Sequence, residues 1–156
     1  MKITLLVVGK TTDAHIEALL QDYQKRLVHY VPFNIIVIPE LKNTKSLTSE
    51  QQKQAEGELI LRQITPSTDM ILLDERGKEY RSIEYADYLQ KKMSSGRDVV
   101  FVVGGPYGFS QSVYERANGK ISLSKMTFSH QMVRLFFVEQ IYRAMTILRG
   151  EPYHHE

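Results

Sequence analysis

The sequence predicts an α/β fold, a mainly parallel sheet with helices on both faces. Three observations carry that expectation. Apolar runs of strand length alternate with helical stretches along all 156 residues. The runs lack the polar–apolar alternation of a half-exposed sheet, as expected of strands covered on both sides. No repeat, linker or low-complexity segment divides the chain, so a single domain over 1–156 is expected.

The first strand is the apolar run at residues 3–8. Thr12 or Asp13 then caps a helix whose apolar face holds Ile16, Leu19, Leu20, Tyr23 and Leu27. A second strand covers residues 33–38, and the polar stretch 39–47 reads as an irregular loop. Thr48-Ser49-Glu50-Gln51 fits a capping box that opens a helix running to about Gln63. Residues 70–73 form the third strand, with Asp74-Glu75-Arg76-Gly77 as its loop. Residues 82–93 form a helix with Ile83, Ala86, Leu89 and Met93 on one side. Residues 99–103 are the most apolar strand. A short helix at 110–118 follows, with Gly119 as a left-handed cap, and then a short strand at 121–123. Residues 130–149 form the longest helix. In a fold of this kind the ligand crevice lies beyond the C-terminal strand ends, here the loops after Leu73, Val103 and Leu123.

Composition narrows the chemistry. The chain has no cysteine, which excludes disulfides, thiolate metal sites and a cysteine nucleophile, and no metal site is expected. No apolar run has the roughly 18–20 residues needed to span a bilayer, and the N-terminus lacks a signal-peptide pattern, so a cytoplasmic protein is expected. The formal net charge is +2, a weak footprint for a nucleic-acid binder acting as a lone subunit. Residues 38–92 balance nine basic against ten acidic side chains. Residues 119–156 hold five basic and three acidic, with His130, His154 and His155, so an anionic partner should meet the C-terminal part.

Four segments stand out. Gly104-Gly105-Pro106-Tyr107-Gly108-Phe109 follows the best strand. Its glycines suit either a strand-to-helix turn or close approach of backbone to a ligand. It is neither a dinucleotide fingerprint nor a phosphate loop, which demotes nicotinamide and nucleoside triphosphate binding. Leu123-Ser124-Lys125-Met126-Thr127-Phe128 reads as an ordinary loop or as ordered backbone holding a flat polar ligand. The long helix is apolar nearly all round, which suggests cover by a second copy, with Phe136, Phe137 and Ile141 in the contact. Within it, Glu139 and Arg143 are four apart, the spacing of an ordinary surface salt bridge. Finally, Tyr153 and His154 follow Pro152 near the end of the chain, where an aromatic ring and an imidazole suit stacking on a base.

Further stretches complete a pattern. They are Leu72-Leu73-Asp74 with Gly77-Lys78, Gly96-Arg97-Asp98, and Val103-Gly104-Gly105-Pro106-x-Gly108. Leu123-Ser124-x-Met126-Thr127, His130-x-x-Val133-Arg134 and Glu139-Gln140-x-Tyr142-Arg143-Ala144 continue it, and Pro152-Tyr153-His154-x-Glu156 closes it. Over its full length the chain thus resembles SPOUT-class methyltransferases of the RlmH type, which methylate N3 of a pseudouridine in bacterial 23S rRNA. The resemblance implies a trefoil knot in the C-terminal half, S-adenosylmethionine as cofactor, a homodimer, and the assembled ribosome as substrate. It would place cofactor contacts at Leu73, Gly104, Gly105 and along Leu123, Ser124, Lys125, Met126, Thr127 and Phe128. The acceptor base would meet His154 and Tyr153, with Arg143 held by Glu139. His154 could take the imide proton, or Arg143 could stabilise the anion; the residues leave both open. The competing readings are a ribosome-binding module without catalysis and a small-molecule oxidoreductase.

Overall fold

A computed structural model describes residues 1–155, so Glu156 of the C-terminal motif lies outside the described residues. Five strands, β1 (Ile3–Val8), β2 (Phe33–Ile38), β3 (Asp69–Glu79), β4 (Val99–Val103) and β5 (Gly119–Ser122), form one parallel sheet. Their order is β2-β1-β4-β3-β5. The helices are α1 (Ala14–Leu27), α2 (Ser49–Leu61), α3 (Ser82–Ser94), α4 (Gln111–Arg116) and α5 (His130–Leu148).

Alternate strand residues feed two cores. Ile3, Leu5, Val7 and Phe101 pack against Leu20 of α1, Leu89 of α3 and Phe137 of α5. Leu6, Met70, Leu72 and Val102 face the other way, onto Ile60 of α2 and Val113 of α4. This double cover explains the uninterrupted apolar runs. The caps follow local chemistry. Asp13 accepts from the amides of His15 and Ile16, Thr48 and Gln51 form the capping box, and Ser129 caps α5.

The structure departs from the sequence-based expectations at four places. β3 does not stop at Leu73 but resumes beyond a bulge, because Ile121 pairs with both Leu73 and Lys78. Gly77 allows this: a Cβ there would lie 2.6 Å from the Ile121 backbone. Gly119 is not a left-handed cap, and the fifth strand begins there rather than at Ile121. The chain turns extended at Ala117 because Asn118 exchanges two bonds with Met70, its amide donating to the carbonyl at 2.7 Å and its side-chain oxygen accepting at 2.9 Å. Residues 39–47 contain a single 3-10 turn, Thr44–Ser46. Lastly, Phe137 and Ile141 are fully buried within the chain and are not free to cover a second copy, whereas Phe136 is 42% exposed. Arg134, on the same helix, is buried, donating to the Val8 carbonyl at 2.9 Å and to Thr11 Oγ1 at 3.1 Å.

The Phe137 ring lies 4.9 Å from that of Phe101, centroid to centroid, joining α5 to the middle of the sheet. Truncation by Phe137→Ala should lower stability by about 3–5 kcal/mol. Urea unfolding at fixed protein concentration checks this, and a loss below about 1 kcal/mol would contradict the packing.

Candidate functional site

The C-terminal ends of β3, β4 and β5 are neighbours in the sheet, so the chain leaves all three on one edge. The segments that follow enclose a cavity of about 670 Å³. Leu73 lines it from β3 just before its bulge, and Gly104 and Gly105 from the end of β4. Leu123, Ser124, Met126, Thr127 and Phe128 line it from the segment between β5 and α5. Lys125 belongs to that segment but is exposed and not part of the wall. The segment is held by its own serines. Ser122 Oγ donates to the Ser124 carbonyl at 2.8 Å, and Ser124 Oγ accepts from the Met126 amide at 2.9 Å.

The glycines are required for reasons the sequence did not separate. Gly108 has φ of 82° and closes a turn, its amide donating to the Gly105 carbonyl at 3.1 Å. Gly104 and Gly105 are not in the left-handed region. A Cβ on Gly104 would lie 3.0 Å from the Phe109 ring, and one on Gly105 would collide with the buried Glu56 carboxylate. Protein groups, rather than open space for a ligand, therefore occupy the places where those side chains would be.

Sequence reasoning did not mark several wall residues. Glu50 and Lys53 of α2 form an ion pair at 3.0 Å on one side, and His130 stands at the start of α5. On the other side Tyr114 donates to Asp74 in a short hydrogen bond, and Arg76 donates to the Tyr114 hydroxyl at 3.2 Å. Burial pushes the Asp74 carboxyl up, but Tyr114, the Arg76 amide and the Arg76 charge outweigh it and hold it below the usual range. The only signal for this cluster was the Asp74-Glu75-Arg76 run, since Tyr114 lies on another element.

Glu139, Arg143, Tyr153 and His154 form a second cluster. Arg143 donates to Glu139 Oε1 at 2.6 Å, and Tyr153 donates to the same oxygen at 3.0 Å. The Arg143 guanidinium also sits 4.8 Å from the Tyr153 ring centroid and contacts His154 Nδ1 at 3.1 Å. A guanidinium only donates, so Nδ1 accepts and the neutral imidazole carries its proton on Nε2. Burial, followed by the bonds to Tyr23 and Glu139, pushes the Tyr153 phenol well up. The Glu139–Arg143 pair is not an exposed surface bridge, its side chains being 17% and 26% exposed. None of the four residues lines the cavity. His130 and Val133 do, and Arg143 lies 13 and 10 positions further along the helix, about 20 and 15 Å along the axis. A cleft of about 280 Å³ lies between, lined by Tyr85, Phe128, Phe136 and Gln140 among others.

Among the described residues no group of three or more His, Asp or Glu is arranged to hold a metal ion, and no helix is long and apolar enough to cross a membrane. The family described as "Predicted SPOUT methyltransferase" matches residues 1–154. A protein named ribosomal RNA large subunit methyltransferase H from Bacteroides thetaiotaomicron is 61% identical, covering 100% of both chains. Its namesake from Flavobacterium psychrophilum is 57% identical, again over 100% of both. The crystal structure of a tRNA (m1G37) methyltransferase from Aquifex aeolicus superposes with a TM-score of 0.57 at 12% identity, covering 100% of this chain and 76% of that one. That likeness speaks to the fold.

Gly105→Val should drive the side chain into Glu56 and lower the melting temperature by several degrees. In a Glu56→Ala background the same valine should cost less, with a coupling of about 1 kcal/mol or more in a double-mutant cycle. Additive effects would contradict the contact. The tail also carries a pH signature. Tyr30 donates to Glu151 at 2.6 Å, which, with partial burial, pushes its phenol up to about 12. The folded value exceeds the ordinary one near 10, so this contribution is complete below about pH 10 and lost as pH rises through about 12. Stability measured against pH should lose that decline in Tyr30→Phe.

Proposed function

The chain belongs to the SPOUT methyltransferase family and is a methyltransferase, and from that premise we propose that it methylates N3 of a pseudouridine in 23S rRNA of the assembled ribosome, using S-adenosylmethionine. The observation that carries this reading is the full-length 61% identity to a protein named for methylating large-subunit ribosomal RNA. The geometry supports it. The cavity walls mix polar side chains with the glycine-rich and serine-held backbone of the segments after β4 and β5, and that backbone offers amides and carbonyls to a flat adenine. When bound, the cofactor supplies an electrophilic methyl group on sulfur.

The acceptor must be held in line and freed of its imide proton, and positioning carries much of the acceleration. Arg143, fixed by Glu139 and lying over Tyr153, is placed to stabilise the imide anion, and Tyr153 offers a ring to stack on the base. His154 Nδ1 is engaged by Arg143, so the imidazole would have to leave that contact before accepting a proton there. This supports electrostatic stabilisation over a histidine base.

The roughly 15 Å of α5 between Val133 at the cavity and Arg143 supports a homodimer in which one chain's tail cluster faces the other's cavity. Phe136 and the cleft beside Phe128 provide an apolar surface for that contact. Doubling also enlarges the RNA-binding surface of a chain whose net charge is only +2. Action on ribosomes places the enzyme in the cytoplasm.

Nucleoside mass spectrometry of 23S rRNA from cells with and without the gene should show loss of one methylated pseudouridine; an unchanged profile would overturn the assignment. Arg143→Ala should lower turnover on ribosomes about a hundredfold while cofactor affinity, read by calorimetry, changes little. Mixing Thr127→Trp, whose indole would fill the cavity, with a chain truncated after Gly150 should restore activity, because a mixed dimer keeps one intact shared site. If no activity returns, the site is built within one chain.

A further inference from the structure

Among the described residues two buried acids beside the cavity, Asp74 and Glu56, have no part in the mechanism above, and Glu56 is the one with an oxygen left without a partner. It lies on α2, is 4% exposed, and its carboxylate fills the side-chain space of Gly105, which belongs to the cavity wall. Its Oε2 accepts a long bond from Gln52, 3.4 Å, and its Oε1 has no partner.

The other carboxylates of the wall are already matched. Glu50 is paired with Lys53, one turn before Glu56 on the same helix. Asp74 is bonded by Tyr114 and the Arg76 amide. Glu75 is exposed to solvent. Glu56 is buried, and among the described residues no salt bridge reaches it. The charged group facing it from outside α2 is Glu40, another acid, which follows β2. Burial first, and then Glu40, raise the Glu56 carboxyl above the ordinary range against the bond from Gln52. An uncompensated buried acid costs free energy unless it is neutral or gains a cation. Only the backbone of a glycine separates this one from the cavity.

Resting on the S-adenosylmethionine reading above, we propose that Glu56 reads the positive charge of the bound cofactor, so that the chain holds the sulfonium form more tightly than the neutral thioether product. Ionised Glu56 attracts a cation across Gly105 and gains nothing from a thioether of nearly the same shape. Its place behind the wall makes it a specificity-determining residue that acts through the field and not by touching the ligand. At a pH where Glu56 is protonated before binding, the sulfonium favours release of that proton to solvent, and the thioether favours its return. Loss of that attraction after transfer favours product exchange.

Calorimetry of the full-length protein with S-adenosylmethionine and with S-adenosylhomocysteine, from about pH 5 to pH 8, tests this. The wild type should favour the sulfonium by about tenfold at the alkaline end, with the preference shrinking as pH falls and Glu56 takes up its proton. His130 also lines the cavity and gains charge as pH falls, so the isosteric Glu56→Gln isolates the carboxyl. That variant should bind both ligands with nearly equal affinity, and the pH dependence of the ratio should be much reduced. Repeating the wild-type titrations across that range in buffers of different ionisation enthalpy should show more proton release with the sulfonium than with the thioether at the acid end, a readout that needs no variant. The same affinity ratio in Glu56→Gln and wild type, or equal proton release for the two ligands at every pH, would overturn the proposal. Failure of the wild type to bind either ligand would instead overturn the cofactor reading on which it rests.

Discussion

Every feature of the site depends on the placement of β4 at the centre of the sheet. Val99–Val103 is buried throughout and pairs in parallel with β1 on one side and β3 on the other. Parallel pairing sends every strand's C-terminal end to the same edge, and double cover leaves that edge as the place where polar loops can gather. The register aligns Val103 with Leu73 and with Val7, so the exits of three strands stand side by side. β5 adds a fourth exit beside β3. The cavity is therefore a consequence of sheet order rather than of any one loop.

Polar groups buried near that edge are few, and each is matched to a structural need. Arg134 ties α5 to the end of β1 through the Val8 carbonyl and Thr11. Asn118 pulls the chain out of α4 and onto β3. Asp74 is saturated by Tyr114 and Arg76. Glu56 Oε1, like Arg134 Nε, is buried without a partner, and its carboxylate lies against Gly105 of the cavity wall. Buried groups left so are rare because they cost free energy.

Helix α5 connects two chemistries that sequence proximity alone would merge. Its first turn closes the cavity through His130 and Val133, while its later turns carry Glu139 and Arg143. Burying Phe137, Val138, Ile141, Ala144 and Met145 fixes its rotation against the sheet. That rotation turns Arg143 toward the returning tail, where Tyr153 and His154 meet it. A rigid helix keeps Val133, at the cavity, about 15 Å from Arg143, so the two clusters stay separate within the chain.

Local chemistry was enough to read much of this from the sequence. The apolar runs marked β1 and β4 most clearly, because burial on both faces leaves little room for polar residues. Asp13 and Thr48 announced helix starts through side chains that satisfy free amides. The segments around Leu73, Gly104 and Leu123 followed from the crevice rule. What escaped were features made by residues distant in the chain. The extension of β3 depends on Ile121 accepting two partners, the end of α4 depends on Met70, and the demand for glycine at 105 comes from Glu56. The uniform apolarity of α5 suggested a covered surface but could not say which residues the protein's own sheet would take, and it took Phe137 and Ile141 while leaving Phe136 outside. Sequence alone determines which residues must be buried or capped, because those rules act within a turn or two; only the tertiary structure decides what each one is buried against, because that partner is set by strand order and register.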